Sequence, residues 1–454
     1  MPGPGLLELL QCPRCRRAAL AATGARLACG TCRLEFPTLG SIPWLFAQPD
    51  ATLGEWRNRL TLYLEEFSAA ERAAAADLAS ATRPATRARL QRLGAAYREQ
   101  GERVRALLAP LRVAPGPLAQ ATQVALGTHV PLTQDLHSYY ANLHRDWCWG
   151  EEENAAALAE VGTALGDGRE RVLVLGAGGG RLAYDLHQAS RRPLTVALDI
   201  NPLLLLVAER VSRGERVTLF EFPIAPRTEA DVALPRELAA PAPARAGLEF
   251  VFADAWRAPF APQSFDAVVT PWLIDIVDLD FESVALAVNR LLVPGGRWVN
   301  FGSLAFPWRR PERRYGPDEV RAIVTDAGFE VGLRRDATLP YMRSPASRHG
   351  RLETVALFAA DKRRRGPRDP AEDAGPPWLA DTTLAVPRTE ALALAADASR
   401  IQAVLLALVD GQRSVDDLVR IVSEQGLLPA PQALSAVRGL LERLHRTGAR
   451  LDHT

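Results

Sequence analysis

At 454 residues with a formal net charge of +1, the chain is long enough for about three domains, and its charge is too balanced for a protein dominated by nucleic-acid electrostatics. Its residues are 48% hydrophobic and 24% charged, which supplies material for cores and excludes global disorder. The start, MPGPGLLELLQC, lacks a basic n-region and an apolar h-region, and no apolar run approaches the roughly 18 residues of a membrane span; the reading is a cytoplasmic protein with no membrane partner.

The first element, residues 1–47, carries CPRC and CGTC. Cys12, Cys15, Cys29 and Cys32 form C-x₂-C-x₁₃-C-x₂-C, a spacing that presents four thiolates to one structural Zn²⁺. So short a segment cannot build a sufficient core without the metal. LLELLQCPRC…ACGTCRLEFPTLGSIPWLF resembles the small zinc-ribbon proteins that activate methyltransferases as partner subunits, down to Phe36-Pro37 and Ile42-Pro43-Trp44-Leu45 near its end. On this reading the ribbon is a separate module whose loss leaves the central sheet intact. Cys148 is left over.

Residues 48–130 follow as a helical segment rich in Ala, Arg, Leu and Glu, as in LQRLGAAYREQGERVRALLAPL, with Pro110 to Pro117 closing it. Between 131 and 361, short β-rich runs alternate with amphipathic stretches, the pattern of an α/β sheet. There VLVLGAGGGRLAYDL runs a buried strand into four glycines. The spacing fails the dinucleotide fingerprint, because the sixth position counted from Gly176 is Arg181, and no Gly-Lys-Ser/Thr ending supports a phosphate loop. G-x-G-x-G remains, with Gly176, Gly178 and Gly180 letting backbone approach the amino-acid portion of S-adenosylmethionine.

The spacing downstream strengthens that assignment. PLTVALDINP is a second buried strand ending in Asp199, 23 positions after Gly176, where a carboxylate accepts both ribose hydroxyls; capping of the helix that starts near Pro202 is a compatible alternative. LEFVFADAWRAPF places Asp254 at the end of a third strand to meet the adenine amino group. SFDAVVTPWLID and LLVPGGRWVNFG supply the fourth and fifth. Five strands in this order, with an acid after the second and third, read as a Rossmann-like class I S-adenosylmethionine-dependent methyltransferase core.

Upstream, HSYYANLHRDWCWGEEEN resembles the R-D-W-x-x-x-G-x-x-E-R segment of the carnosine N-methyltransferase family, and the resemblance extends across roughly 137–360 through GAGGGRLAYDL, FEFPIAP, WLIDIVDLD and WVNFGSLAF. It implies that Asn142 and Arg145 contact the cofactor alongside Gly176, Asp199, Asp254 and Thr270, and that Asp275 faces the substrate nitrogen as the catalytic carboxylate. Asp275 otherwise reads as a helix N-cap, a role for which Asp278 and Asp280 are better placed. Trp272 reads equally as a wall of the methyl site or a plain core aromatic. His144 and His349 read as structural or solvent-facing. The sequence departs from the family where a substrate-binding His is replaced by Pro307 and a Tyr cluster by Arg351, Leu352 and Glu353, which argues against an imidazole-dipeptide pocket.

A charged, Pro-rich linker spans 362–380. Residues 381–454 read as three helices of a winged-helix-like domain, with Ser414 as an N-cap, and ALVDGQRSVDDL resembles the peptide-binding PqqD-like modules. The expected activity is methyl transfer to an amine or imidazole of a small molecule or peptide. The alternatives are an RNA or protein methyltransferase that grips its substrate with the ribbon, and a non-catalytic cofactor-binding scaffold; nucleic acid is disfavoured because acids and bases mix in the C-terminal segment.

Overall fold

The computed structural model describes residues 2–113, 136–277, 279–306, 311–367, 384–429 and 432–442. Two compact units emerge, Met1–Glu372 and Asp373–Thr454.

The first unit is built on a seven-stranded sheet. Its strands are β1 (Arg171–Leu175), β2 (Leu194–Asp199), β3 (Leu248–Phe252), β4 (Phe265–Pro271), β5 (Leu292–Gly302), β6 (Phe329–Tyr341) and β7 (Arg351–Lys362), in the order β3-β2-β1-β4-β5-β7-β6. The first five pair in parallel, and β7 is antiparallel to both β5 and β6. All six residues of β2 are buried, as a parallel strand covered on both faces requires. The order of the parallel strands reverses between β1 and β4, which opens a crevice at their carboxyl ends. This is the Rossmann-like class I methyltransferase fold.

Helices α1 (Pro49–Ser80) and α2 (Pro84–Leu107) form a hairpin upstream of the sheet, each with a proline in its first turn. They pack closely where Gly94 faces Ala74 and Gly101 faces Phe67. Between them and β1 lie α3 (Leu136–His144), a π-helical turn at Arg145–Trp149, and α4 (Glu151–Leu165). Helices α5 (Arg181–Ala189), α6 (Pro202–Ser212), α7 (Phe281–Leu291) and α8 (Pro317–Asp326) follow. The insertion before β3 is a hairpin, Val217–Glu221 with Leu234–Leu238. It is fastened to the helices by Gln100, whose side chain accepts from Phe220 N (2.8 Å) and donates to Tyr140 Oη (2.6 Å), while Tyr140 donates to the Phe220 carbonyl (2.7 Å).

The cysteine module is not separate from this body. Its three short strands, Leu20–Thr23, Arg26–Cys29 and Glu35–Phe36, share a core with Val251, Phe260 and Phe265. Trp44 then bridges Phe252 in parallel, and Leu45 N donates to the Phe252 carbonyl at 2.8 Å. The module therefore covers the β3 edge, which would otherwise present unpaired backbone groups. Trp44 is fully buried, with its ring tilted against Phe46 and Phe252 at 4.5 and 5.5 Å between centroids and its indole N–H on the Pro49 carbonyl. Part of the expected linker is also tied to the body: Lys362 Nζ donates to the Asn289 and Leu292 carbonyls (both 2.7 Å), and Gly366 N donates to Asn289 Oδ1 (3.1 Å).

In the second unit, α9 (Glu390–Ala407), α10 (Val415–Glu424) and a helix over 432–442 gather Leu405, Leu418, Val422, Ala433 and Val437 into a small core. Ser414 and Asp417 form a reciprocal capping box. Among the described residues this unit has no strand. No described helix in either unit is long and apolar enough to cross a membrane.

Candidate active site

A cavity of about 420 Å³ opens where the parallel strands end. The glycine turn after β1 forms its floor. Gly176, Gly178 and Gly180 all have positive φ, at +68°, +56° and +80°. They do different work. A Cβ on Gly176 would lie 2.8 Å from Leu273, so that turn is already packed against the opposite wall. A Cβ on Gly178 would meet no protein atom within 4 Å, and the residue borders the cavity. Gly180 does not border it; a Cβ there would press on Ala208 at 2.9 Å, and the glycine lets α5 approach α6 and β3. The π-helical turn clamps the loop from outside, with Trp147 Nε1 donating to the Gly179 carbonyl at 2.7 Å.

Asp199 stands at the tip of β2 on the cavity wall. Its carboxylate accepts from Gly178 N (2.7 Å) and Asn201 N (2.8 Å). Burial pushes its pKa up to about 6 against the opposing effect of these bonds. The cap of α6 is Asn201, which accepts from Leu203 N at 3.1 Å, so Asp199 is left to the cavity. Asp254 also borders it and accepts from Trp256 N (2.9 Å) in the short turn that follows; burial raises its pKa too.

Asn142 and Arg145 reach the cavity from the segment before β1. Arg145 is neutralised on the spot, with Nε 2.7 Å from Asp146 and Nη1 2.9 Å from Glu153. Thr270 does not reach it: fully buried in β4, its hydroxyl bonds Asn300 Oδ1 and Trp298 Nε1, both at 3.0 Å. Asp275 is 4% exposed and is not among the residues that line the cavity, although its neighbours Leu273 and Ile276 are. Burial raises its pKa, while bonds from the Ser303 side chain and the Ala305 backbone act against that.

Part of the cavity lining is aromatic. Trp272 borders the cavity with φ at +50°, a costly conformation for so bulky a residue, and its ring is 4.8 Å from Tyr341. Trp56 and Arg59 of α1 close another side, with the guanidinium 4.7 Å over the Trp56 ring. Sequence reasoning missed Trp56, Arg59, Tyr139, Glu153 and Tyr341. The first two lie on an amphipathic helix far upstream, where only general helical periodicity was visible. Pro307 lies outside the described residues. Arg351 pairs with Glu353 (2.5 Å) and stacks 4.7 Å from the Tyr341 ring centre. His144 is buried with Nε2 3.2 Å from the Phe220 carbonyl, and burial lowers its pKa to about 3; His349 is exposed.

The four cysteine Sγ atoms lie within 4.8 Å of one another, with Cys12 to Cys32 at 4.0 Å and Cys15 to Cys29 at 3.8 Å. Four thiolates about 2.3 Å from one tetrahedral ion require nearly that separation. The thiols of this site converge.

The strand order and the crevice define the class of fold, and residues 173–299 match the family model described as a methyltransferase domain. No curated protein matches the chain. Among solved structures, the chain is similar to the N-methyltransferase NodS from Bradyrhizobium japonicum in complex with S-adenosyl-L-homocysteine, at 15% identity over 50% of this chain and 98% of that one, with a TM-score of 0.35. It is similar to a chain in the complex between the Haloferax volcanii Trm112 methyltransferase activator and the putative methyltransferase, at 17% identity, 51% and 99% coverage and a TM-score of 0.33. A third similarity is to a putative methyltransferase from Bacillus halodurans, at 15% identity, 46% and 100% coverage and a TM-score of 0.33.

Proposed function

We propose that the chain is an S-adenosylmethionine-dependent methyltransferase that N-methylates an amine or imidazole of a small molecule or peptide. One observation carries the reading: within a matched methyltransferase domain, a buried carboxylate, Asp199, borders a cavity beside Gly178, whose missing side chain leaves backbone open to a ligand. S-adenosylmethionine supplies a methyl group on a sulfonium, a reactive leaving group. Asp199 would accept the ribose hydroxyls, Asp254 the adenine amino group, and Asn142 with Gly176 and Gly178 would hold the amino-acid end.

The chain's own task is then to orient a neutral nitrogen in line and keep water away. Trp272, Tyr341 and Tyr139 line the space for that nitrogen. Asp275, hydrogen-bonded to Ser303 and not among the lining residues, is assigned as a positioning residue for the turn from Trp272 to Val277. Asp275→Asn keeps an acceptor for the serine hydroxyl and is expected to retain turnover; a carboxylate needed for the acceptor's proton would lose it and bend the pH profile. In the same reading Cys12, Cys15, Cys29 and Cys32 hold a structural Zn²⁺.

The test is methyl transfer from labelled S-adenosylmethionine into cell extract, with mass spectrometry of the product, beside calorimetric binding of the cofactor. Carnosine, free histidine and simple amines are assayed in parallel, and carnosine is expected to be a poor acceptor, because Arg351 and Glu353 replace the tyrosines of the family it resembles. Cofactor binding without any methylated product would favour the scaffold alternative.

A further inference from the structure

The loop after β6 begins at the cavity wall and leads to a basic face. Tyr341 borders the cavity, and Met342 N donates to Glu153 Oε2 at 3.0 Å, so the loop's first residues are fixed to the site. From there residues 343–351 carry Arg343, Arg348 and Arg351, all exposed. The tip of the insertion is laid against this loop: Pro226 bridges Ser347, and Arg348 N donates to the Ala225 carbonyl at 2.7 Å. That contact adds a fourth exposed arginine, Arg227. Arg227 Nε donates to the Ser347 carbonyl (3.1 Å) and Arg348 Nη2 to the Arg227 carbonyl (2.6 Å), bonds that anchor the guanidinium groups without cancelling their charge. Among the described residues, only Arg351 of the four forms an ion pair, with Glu353. Two exposed aliphatic side chains stand beside these arginines in sequence, Ile224 in the insertion at 81% and Leu352 directly after Arg351 at 66% exposure.

We propose that this face binds an acidic, partly apolar peptide segment of the methyl acceptor and presents one of its side chains to the cavity. The inference rests on the methyltransferase reading for what happens to that side chain, but the binding itself does not. Three observations select the occupant. Arginine's planar fork suits carboxylates held in pairs. Exposed Ile224 and Leu352 match aliphatic side chains and have no counterpart in a sugar-phosphate backbone. A cavity of about 420 Å³, near the lower end for one small-molecule ligand, leaves room for only a short group beside a cofactor, which one peptide side chain supplies.

The experiment uses the full chain and a short fluorescent peptide of glutamate and leucine with one central lysine. A glutamine-for-glutamate version and polyuridylic acid serve as comparison probes. Binding to the acidic peptide is expected, weakening as salt rises. The double variant Arg343→Glu with Arg351→Glu is expected to lower peptide affinity by about tenfold or more. Arg343→Gln with Arg351→Gln, the milder change, should fall between it and wild type. Melting temperature and cofactor affinity in the same samples report whether the variants are folded. No binding to the acidic peptide, equal affinity in both double variants, or tighter binding of polyuridylic acid would overturn the proposal. Loss of all cofactor binding by the wild type would instead sink the methyltransferase reading and leave the peptide face standing.

Discussion

Two residues that line the cavity make separable predictions. Asp199 carries a pKa raised to about 6 by burial, and in the proposed reading ribose hydroxyls would donate to its ionised form. Cofactor affinity should therefore rise as pH increases through about 6 and level off above it, because protonation below that point removes the acceptor. Calorimetric titration across this window checks the sign, and Asp199→Asn should flatten the curve. Asp199→Ala should cost roughly 1.5–3 kcal/mol of binding, the range for hydrogen bonds to a charged group. Gly178→Ala tests the open face of the turn: its Cβ meets no protein atom within 4 Å, yet it would point into the cavity proposed for the cofactor. Its positive φ adds a strain of roughly 1 kcal/mol, so the melting temperature should fall slightly while cofactor binding is lost. Retained affinity would put the ligand elsewhere. Both positions were legible in the sequence, because a glycine turn and an acid a fixed distance on are local features. Gly180 was named by the same glycine spacing and Thr270 by the family resemblance, yet Thr270 is buried in the sheet and Gly180 sits at the α5–α6 contact; what a strand or helix end meets depends on what packs there.

At the scale of elements, the cysteine module is the clearest revision. Its ligand spacing identified four convergent thiols, but the spacing carries no information about what the ribbon packs on. Its docking through Leu45 N and the Trp44 bridge to Phe252 makes it an edge of the main sheet. Chelation of the Zn²⁺ proposed for this module, or Cys29→Ser, is expected to lower the melting temperature of the whole first unit and speed amide exchange in β3. An unchanged β3 would return the module to independence. Trp44→Ala, which empties a fully buried site, should cost about 3–5 kcal/mol by equilibrium denaturation.

For the whole molecule, the split into two units makes a prediction of its own. A chain ending near residue 372 should keep the melting transition and the cofactor affinity of the first unit, since its core and its cavity are drawn from residues before that point. A collapse of either would tie the second unit into the body.

What the sequence alone determined is what short-range pattern encodes: the four cysteines that converge, the glycine turn, the acids at the ends of β2 and β3, the capping box at Ser414, and the succession of strands that identifies the sheet. What only the tertiary structure decided comes from contacts between distant segments. Trp56 and Arg59 reach a cavity formed around β1 and β2, Tyr341 faces Trp272 from the far side of the sheet, and Arg227 meets Arg348 across an insertion contact. No local periodicity specifies which helix face or loop tip will meet which wall, because that choice is made by packing the whole chain at once.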